Sequence, residues 1–204
     1  MWRVISGGLR LTLVTWVLCG IGYPLLVNVL AQLLFPYQAN GSLIHDAKGA
    51  VLGSTLIGQD WQGDTWFHGR PSATTAADPQ DATKTVASPY NAGSSTGSNY
   101  GPGTSALHDR ILADRQALEK QQPELHGVVL PADMLTTSAS GLDPDISVAN
   151  AMLQVPRVAA KRGVSQDQLN RLIAGLVTPP AMGIFGEPRV NVLALNLALA
   201  GQAK

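Results

Sequence analysis

The chain has 204 residues, fourteen basic and fourteen acidic, so its formal net charge is zero and charged residues make up only 14 % of it. That fraction is well below the roughly 25 % of a soluble globular protein, and the mean hydropathy of +0.10 also points to a chain partly in lipid. The balanced charge excludes the basic footprint of a nucleic-acid binder. A single cysteine, Cys19, excludes a disulfide framework, and four scattered histidines cannot form a Cys/His zinc site.

The charge deficit is localised. Between Arg10 and Asp46 there is no Asp, Glu, Lys or Arg, and residues 11–35 are almost wholly apolar. Twenty-five residues at about 1.5 Å rise reach roughly 37 Å, enough to cross a hydrocarbon core of about 30 Å. No A-x-A-like site follows a short apolar stretch, and the bulky Trp16, Val17 and Leu18 before Cys19 do not suit a lipoprotein cleavage box, so an uncleaved transmembrane helix is expected. Arg3, Arg10 and the terminal amine precede the span, while Asp46 and Lys48 follow at a distance and cancel. The positive-inside rule then makes residues 1–10 cytoplasmic and places residues 40–204 outside. Pro24 removes one backbone donor mid-span, which predicts a kink. Gly20, Gly22 and Asn28 suit packing against another helix, or belong to a lone anchor.

The remaining 165 or so residues are the size of one domain. Apolar residues on either side of Asp46-Ala47-Lys48-Gly49 predict a hairpin of strands 42–45 and 50–53. Leu56, Ile57, Trp61, Trp66 and Phe67 are expected in the core. Residues 71–105 are rich in Ala, Ser, Thr, Gly, Asn and Pro and read as a long polar loop, either functional or disordered. Leu107, Ile111 and Leu118 mark one face of a helix that Pro123 ends. Asp143-Pro144 reads as a cap and first-turn proline for a helix over 146–162, kinked or divided at Pro156, with Gly163 after its end. Ser165 to Gln168 reads as a capping box for a helix reaching about Val177, closed by Pro179-Pro180. Residues 190–200 alternate like a strand but have the Ala/Leu/Asn content of a helix, and helix is the reading taken. The fold class is α+β: one transmembrane helix, then a single extracytoplasmic domain with a small β-hairpin or sheet and several helices.

Catalytic patterns are poor. Gly93-Ser94-Ser95-Thr96-Gly97 matches G-x-S-x-G, but a nucleophile elbow needs a strand before the serine and a helix after it, and both flanks are polar loop. The phosphate-cradling G-x-x-x-x-G-K-[ST] is absent, and glycines at 97, 101 and 103 cannot make a G-x-G-x-x-G turn. Asp133, Asp143 and Asp145 could be imagined as paired acids, but Asp143 is better used as a helix cap and Asp145 as a first-turn dipole partner. No catalytic or metal residues are assigned. Three stretches stand out instead. Phe67-His68-Gly69-Arg70-Pro71-Ser72 joins a cation, an imidazole and an aromatic. Thr136, Thr137, Ser138 and Ser140 precede a helix N-terminus, where free N–H groups suit an anion. Gln154 to Arg162 lines polar and basic groups along a helix, which equally reads as a solvated basic face. The residues alone support an anchored, exported interaction partner.

In this order behind one span, these stretches resemble the C subunit (KdpC) family of the Kdp potassium-transporting P-type ATPase, nearly end to end. The marks are Phe67 to Ala73; Ser138-Ala139-Ser140-Gly141-Leu142-Asp143-Pro144 with Ile146-Ser147; Gln154-Val155 with Arg157-Val158-Ala159 and Arg162; and Gly186 to Leu193 with Leu195-Asn196. Tyr90-Asn91 and Gly97-Ser98-Asn99 fit more loosely, with Ala92, Thr96 and Tyr100 where the family tends to have proline, glycine and leucine.

The resemblance implies a non-catalytic subunit of a high-affinity potassium importer of the bacterial inner membrane. Its partners would be a P-type ATPase subunit, a channel-like potassium-binding subunit and a small single-span subunit. ATP and K+ would be handled by the complex, with no cofactor bound tightly here. The missing Asp-Lys-Thr-Gly agrees with hydrolysis in a partner. The family is described as a catalytic chaperone that raises the ATP affinity of the ATPase subunit. Phe67, His68, Gly69, Arg70, Pro71, Asn91, Asn99, Asp143, Pro144, Arg189, Asn191 and Asn196 are its implied partner and assembly residues. Ser138, Ser140, Gly141, Gln154, Arg157 and Arg162 are candidates for nucleotide contact. An external domain would have to act on ATP affinity by linkage, whereas direct contact needs the opposite topology. The oxygen-rich loop 88–105 either caps a potassium entrance or fills a groove on a partner. The alternative class is an autonomous membrane-anchored binding protein or hydrolase.

Overall fold

The computed structural model describes residues 1–201; the last three residues of the expected exported domain, 202–204, lie outside the described residues. The chain divides into two compact units, residues 1–44 and 45–204.

The first unit is a helical rod. Helix α1 (Trp2–Val17) passes through a π-helical turn, Leu18–Gly22, into α2 (Tyr23–Leu34), and this 33-residue rod is long and apolar enough to cross a membrane. The wider turn lies directly before Pro24. A proline has no N–H for the carbonyl four residues back and its ring crowds that carbonyl, so the helix accommodates it by widening. The rod ends at Phe35, whose φ of −138° departs from the helix because Pro36 follows and disfavours the α region before it. A single turn, α3 (Pro36–Ala39), closes the unit. No residue of α1 or α2 is buried within the chain, as suits a surface made for lipid or other helices.

The second unit is α+β. Strand β1 (Leu43–His45), which runs across the boundary of the units, and β2 (Val51–Ser54) flank the expected turn, where Asp46 Oδ1 accepts from the N–H groups of Lys48 and Ala50, both at 2.8 Å. Residues 71–105 are not a structureless loop. They contain an antiparallel hairpin, β3 (Thr75–Ala77) with β4 (Thr85–Ala87), closed by an Asp78–Lys84 turn. The rest of the segment is tied down by side-chain hydrogen bonds, which composition does not show. Helix α4 (Ser105–Gln121) is capped by Thr104, and its Ile111 and Leu118 pack on a satellite cluster of Leu125, Met134 and Leu135.

Residues 145–147 form strand β5 (Asp145–Ser147) rather than the start of a helix, because Ile146 is buried opposite Val190 in the sheet. Helix α5 (Val148–Arg162) begins with Ser147 as its cap, not Asp143, and ends at Gly163 in the left-handed region, φ +67°. It runs unbroken through Pro156, whose lost bond falls on Met152, an exposed residue. Helix α6 (Gln166–Leu176) has Ser165 as its cap, and Val177 belongs to a short strand, β6 (Val177–Thr178), not to the helix. Both patterns read in residues 190–200 are present in turn: β7 (Arg189–Asn191), then α7 (Val192–Leu199), started by Asn191. Strand β7 is central in the sheet β5-β7-β6, antiparallel to both neighbours.

The main core joins Phe67, Val155, Val158, Leu169, Ile173 and Leu195 between α5, α6, α7 and the sheet. Each such side chain contributes about 1.5–3 kcal/mol when fully buried. Trp61 packs at its edge, but Leu56 and Ile57 do not join it: they are 62 % and 37 % exposed.

Candidate functional site

Residues 66–72 cross between α5 and α7, and two side-chain amides hold their backbone as a neighbouring strand would. Phe67 N–H donates to Asn196 Oδ1 and Asn196 Nδ2 donates to Phe67 O, both at 2.9 Å. One residue on, His68 N–H donates to Gln154 Oε1 at 2.7 Å and Gln154 Nε2 returns a bond to His68 O at 3.0 Å. All four polar groups would otherwise be costly in an apolar core. The network continues through Asn150 to Asp133, which also accepts from the N–H and hydroxyl of Ser147 at 2.7 and 3.0 Å. Asp133 therefore anchors the start of α5, a role that its isolated position in the sequence does not reveal.

Of the basic residues of α5, Arg157 and Arg162 turn onto the chain, whereas Lys161 is exposed and pairs with Asp64 at 2.9 Å. Arg157 is 6 % exposed, and its guanidinium donates to the carbonyls of Asp64 and Trp66 and to Gln154 Oε1 at 2.7–3.0 Å. Arg162 Nε donates to Thr65 O at 2.7 Å, and its guanidinium lies 4.2 Å from the centre of the Trp66 ring, which tilts against Trp61. His68 Nε2 lies 2.9 Å from Gly63 O, so that nitrogen carries the proton. Burial holds this imidazole below its usual range, and the charge of Arg157 adds to the effect, against the opposing hydrogen bond to Gly63 O.

Arg70 forms the second focus. Its Nη1 pairs with Asp143 Oδ2 at 3.0 Å, and Nη2 faces the carbonyl of Thr137 at 3.3 Å. Asp143 Oδ1 accepts from Asp145 N–H, and Pro144 O accepts from Val192 N–H, so this corner is tied to β5 and α7. Asp145 in turn pairs with Arg189 at 2.8 Å, and Asn191 Nδ2 donates to Thr55 O at 3.0 Å. A cleft of about 700 Å³ lies between these ion pairs, with Arg70, Asp133, Asp143, Ile146 and Arg189 in its walls.

The hydroxyl-rich run 136–141 does not stand at a helix N-terminus. It packs on the segment 71–98. Ser138 N–H donates to Pro71 O, Ser72 Oγ donates to Gly141 O at 2.7 Å, and Thr137 Oγ1 donates to Ser98 Oγ. Gly141 has φ +68°, and an added Cβ there would press on Thr74 and Thr96, so the αL turn and the close approach both require glycine. Ser138 is buried, whereas Ser140 is exposed and its Oγ accepts from Leu142 N–H. Asn91 bonds Thr75 O through Nδ2, and Asn99 is exposed. Ser95, the central serine of the G-x-S-x-G match, donates to Ser140 O at 3.0 Å rather than to a base. Tyr90 lies across Gly58 and Gly69 and donates to Arg70 O at 2.7 Å; burial pushes its phenol well above the usual range.

Among the described residues there is no group of three His, Cys, Asp or Glu side chains placed to hold a metal ion. What the arrangement offers is a hydrogen-bonded polar framework beside an open cleft. The family described as the K+-transporting ATPase, c chain, matches residues 5–201. The chain belongs to the KdpC family. Among similar proteins, the potassium-transporting ATPase KdpC subunit of Rhodopseudomonas palustris is 53 % identical over 195 residues, covering 96 % of this chain and 93 % of the relative. That of Methylobacterium nodulans is 53 % identical over 192 residues, covering 94 % and 92 %. That of Bradyrhizobium diazoefficiens is 51 % identical over 199 residues, covering 98 % and 97 %. The KdpC chain is an accessory subunit, not the one that hydrolyses ATP. In this member the motif residues of 67–71, 138–144, 154–162 and 189–196 meet one another through the bonds described above.

Proposed function

We infer that this chain is the accessory subunit of an ATP-driven, high-affinity potassium import complex. It supports assembly with a P-type ATPase subunit, a channel-like potassium-binding subunit and a small single-span subunit, and raises the ATP affinity of the ATPase subunit. The observation that carries this reading is the family match across residues 5–201, behind an N-terminal helix able to span the membrane. The flanking Arg3 and Arg10 favour a cytoplasmic N-terminus and an external domain.

From outside, the domain acts on ATP affinity by linkage. Binding a transport state on one side of the membrane shifts the equilibrium that nucleotide reads on the other. The internal use of Gln154 and Arg157, whose polar groups bond the backbone of 64–68, supports this over direct nucleotide contact. Two measurements test it. Gentle purification of the tagged chain from potassium-starved membranes should recover the ATPase and channel-like chains in fixed ratio; recovery alone returns the chain to the anchored-domain class. Membrane-impermeant labels should reach residues beyond 44 in intact spheroplasts, and photo-reactive ATP should label the ATPase chain but not this one. Protection from the labels together with crosslinking to this chain establishes the opposite topology and direct contact.

A further inference from the structure

Beyond the sheet, β6 and β7 continue into an arm whose residues 181–189 are all exposed. At its tip Met182, Ile184 and Phe185 are 91 %, 76 % and 62 % exposed. No Asp, Glu, Lys, Arg or His occurs from Leu172 to Gly186. Three large apolar side chains grouped on a projecting, uncharged turn mark a contact surface. The backbone indicates its chemistry. Ala181 and Phe185 exchange N–H···O bonds at 2.8 and 2.9 Å, Gly183 N–H donates to Pro180 O, and Ile184 N–H donates to Ala181 O. Pro179 and Pro180 have no N–H at all. Four N–H groups of the tip are thus satisfied within the turn, which lowers the cost of bringing it to the interfacial boundary, where the remaining carbonyls still meet water and headgroups.

We propose that the arm 179–188 inserts its tip, Met182, Ile184 and Phe185, into the lipid interface of the membrane in which the chain is anchored. The apolar helix tethers the domain to a bilayer, so a lipid surface is always within reach. An interfacial element sinks roughly 5–10 Å, to the boundary of headgroups and acyl chains, and a turn of this size suits that depth. The insertion would hold the second unit at the membrane and limit how it presents its cleft to companion subunits. It rests on the membrane anchor alone and is independent of the coupling mechanism.

The test uses the full chain in phosphatidylcholine/phosphatidylglycerol vesicles. An environment-sensitive dye is attached at Ile184→Cys in a Cys19→Ser background, with Ala113→Cys on exposed α4 as reference. Lipid spin-labelled near the headgroup should quench the dye at 184 by about half and leave that at 113 unaffected. Adding Met182→Asp and Phe185→Asp should abolish the quenching while leaving the fold, read by tryptophan fluorescence, intact. A dye at 184 that stays unquenched by lipid and open to aqueous iodide overturns the proposal. So does one that becomes shielded only when the companion subunits are added, which assigns the tip to a protein partner. Co-purification with companions while 184 stays in water refutes the lipid contact and leaves the subunit reading standing.

Discussion

The side-chain amide of Asn196 and the backbone of Phe67, 129 positions earlier, form a closed two-bond pair, with both N···O distances 2.9 Å. Asn196 is fully buried, so the pair ties the 66–72 segment to α7 where no water can replace it. Asn196→Ala leaves a buried donor and a buried acceptor unpaired and is expected to cost about 3 kcal/mol. Asn196→Asp keeps the acceptor but loses the donor, and should be equally damaging. Urea unfolding of the detergent-solubilised chain, followed by tryptophan fluorescence, measures both. A change within experimental error would show that the pair contributes nothing to stability.

Periodicity and punctuation made the helices legible: the apolar run of the span, the Ile111 and Leu118 face of α4, and Gly163 at the end of α5. The start of α5 was not. Asp143-Pro144 looks like a cap, but Arg70, 73 positions away, engages that carboxylate, and Ile146 is drawn into the sheet. Tertiary demand overrode a local signal. The order of residues 71–105 was hidden for a related reason. Its small polar residues carry no apolar period, and what fixes them are single hydroxyl bonds such as Thr74 Oγ1 to Ser88 O at 2.6 Å. Three of the family's stretches stood out by residue type, but the run Gly186 to Asn196 was visible only by resemblance. Composition made the basic face of α5 look solvated, because a sequence cannot show that carbonyls of residues 64 and 66 will surround Arg157.

The Arg70–Asp143 pair is only half-buried, its side chains 25 % and 31 % exposed, so its worth is moderate. Either Arg70→Ala or Asp143→Ala should cost about 1–2 kcal/mol, since each leaves a partly desolvated partner. The larger effect is expected on assembly, because the pair forms the wall of an exposed cleft. Co-purification of the variant with its companions should fall while the potassium selectivity of whatever complex forms stays unchanged. Altered selectivity in a fully assembled complex would contradict this.

His68 predicts a pH dependence with a definite sign. Its folded value lies below the ordinary 6.5, with burial as the main cause. Above the ordinary value both folded and unfolded chains carry neutral imidazole, and the group adds no pH slope. As pH falls through 6.5 the unfolded chain takes up the proton first, so stability declines until the lowered folded value is reached. His68→Gln, which can still donate to Gly63 O, should flatten that acid-side decline in urea melts at successive pH values. An unchanged profile would assign the decline to other groups.

Tyr90 and Gly69 make the most direct steric prediction. The phenol lies over Gly69 so closely that an added Cβ would collide with its hydroxyl, and on its other side Gly58 is boxed in by the same ring and by Asp143 O, 2.7 Å from where a Cβ would stand. Tyr90→Phe removes only the bond to Arg70 O and should cost about 1 kcal/mol. Gly69→Ala instead forces the ring out, which disturbs the Tyr90 N–H to Ser72 Oγ bond and the neighbouring Asn91 contacts, and it should cost more, about 2–3 kcal/mol. If the clash is the cause, the two positions are coupled. Gly69→Ala introduced into a Tyr90→Ala background should then cost much less than in the parent chain, a non-additivity that a double-mutant cycle reads directly. Strict additivity would mean that glycine at 69 is required by its backbone and not by the tyrosine that covers it.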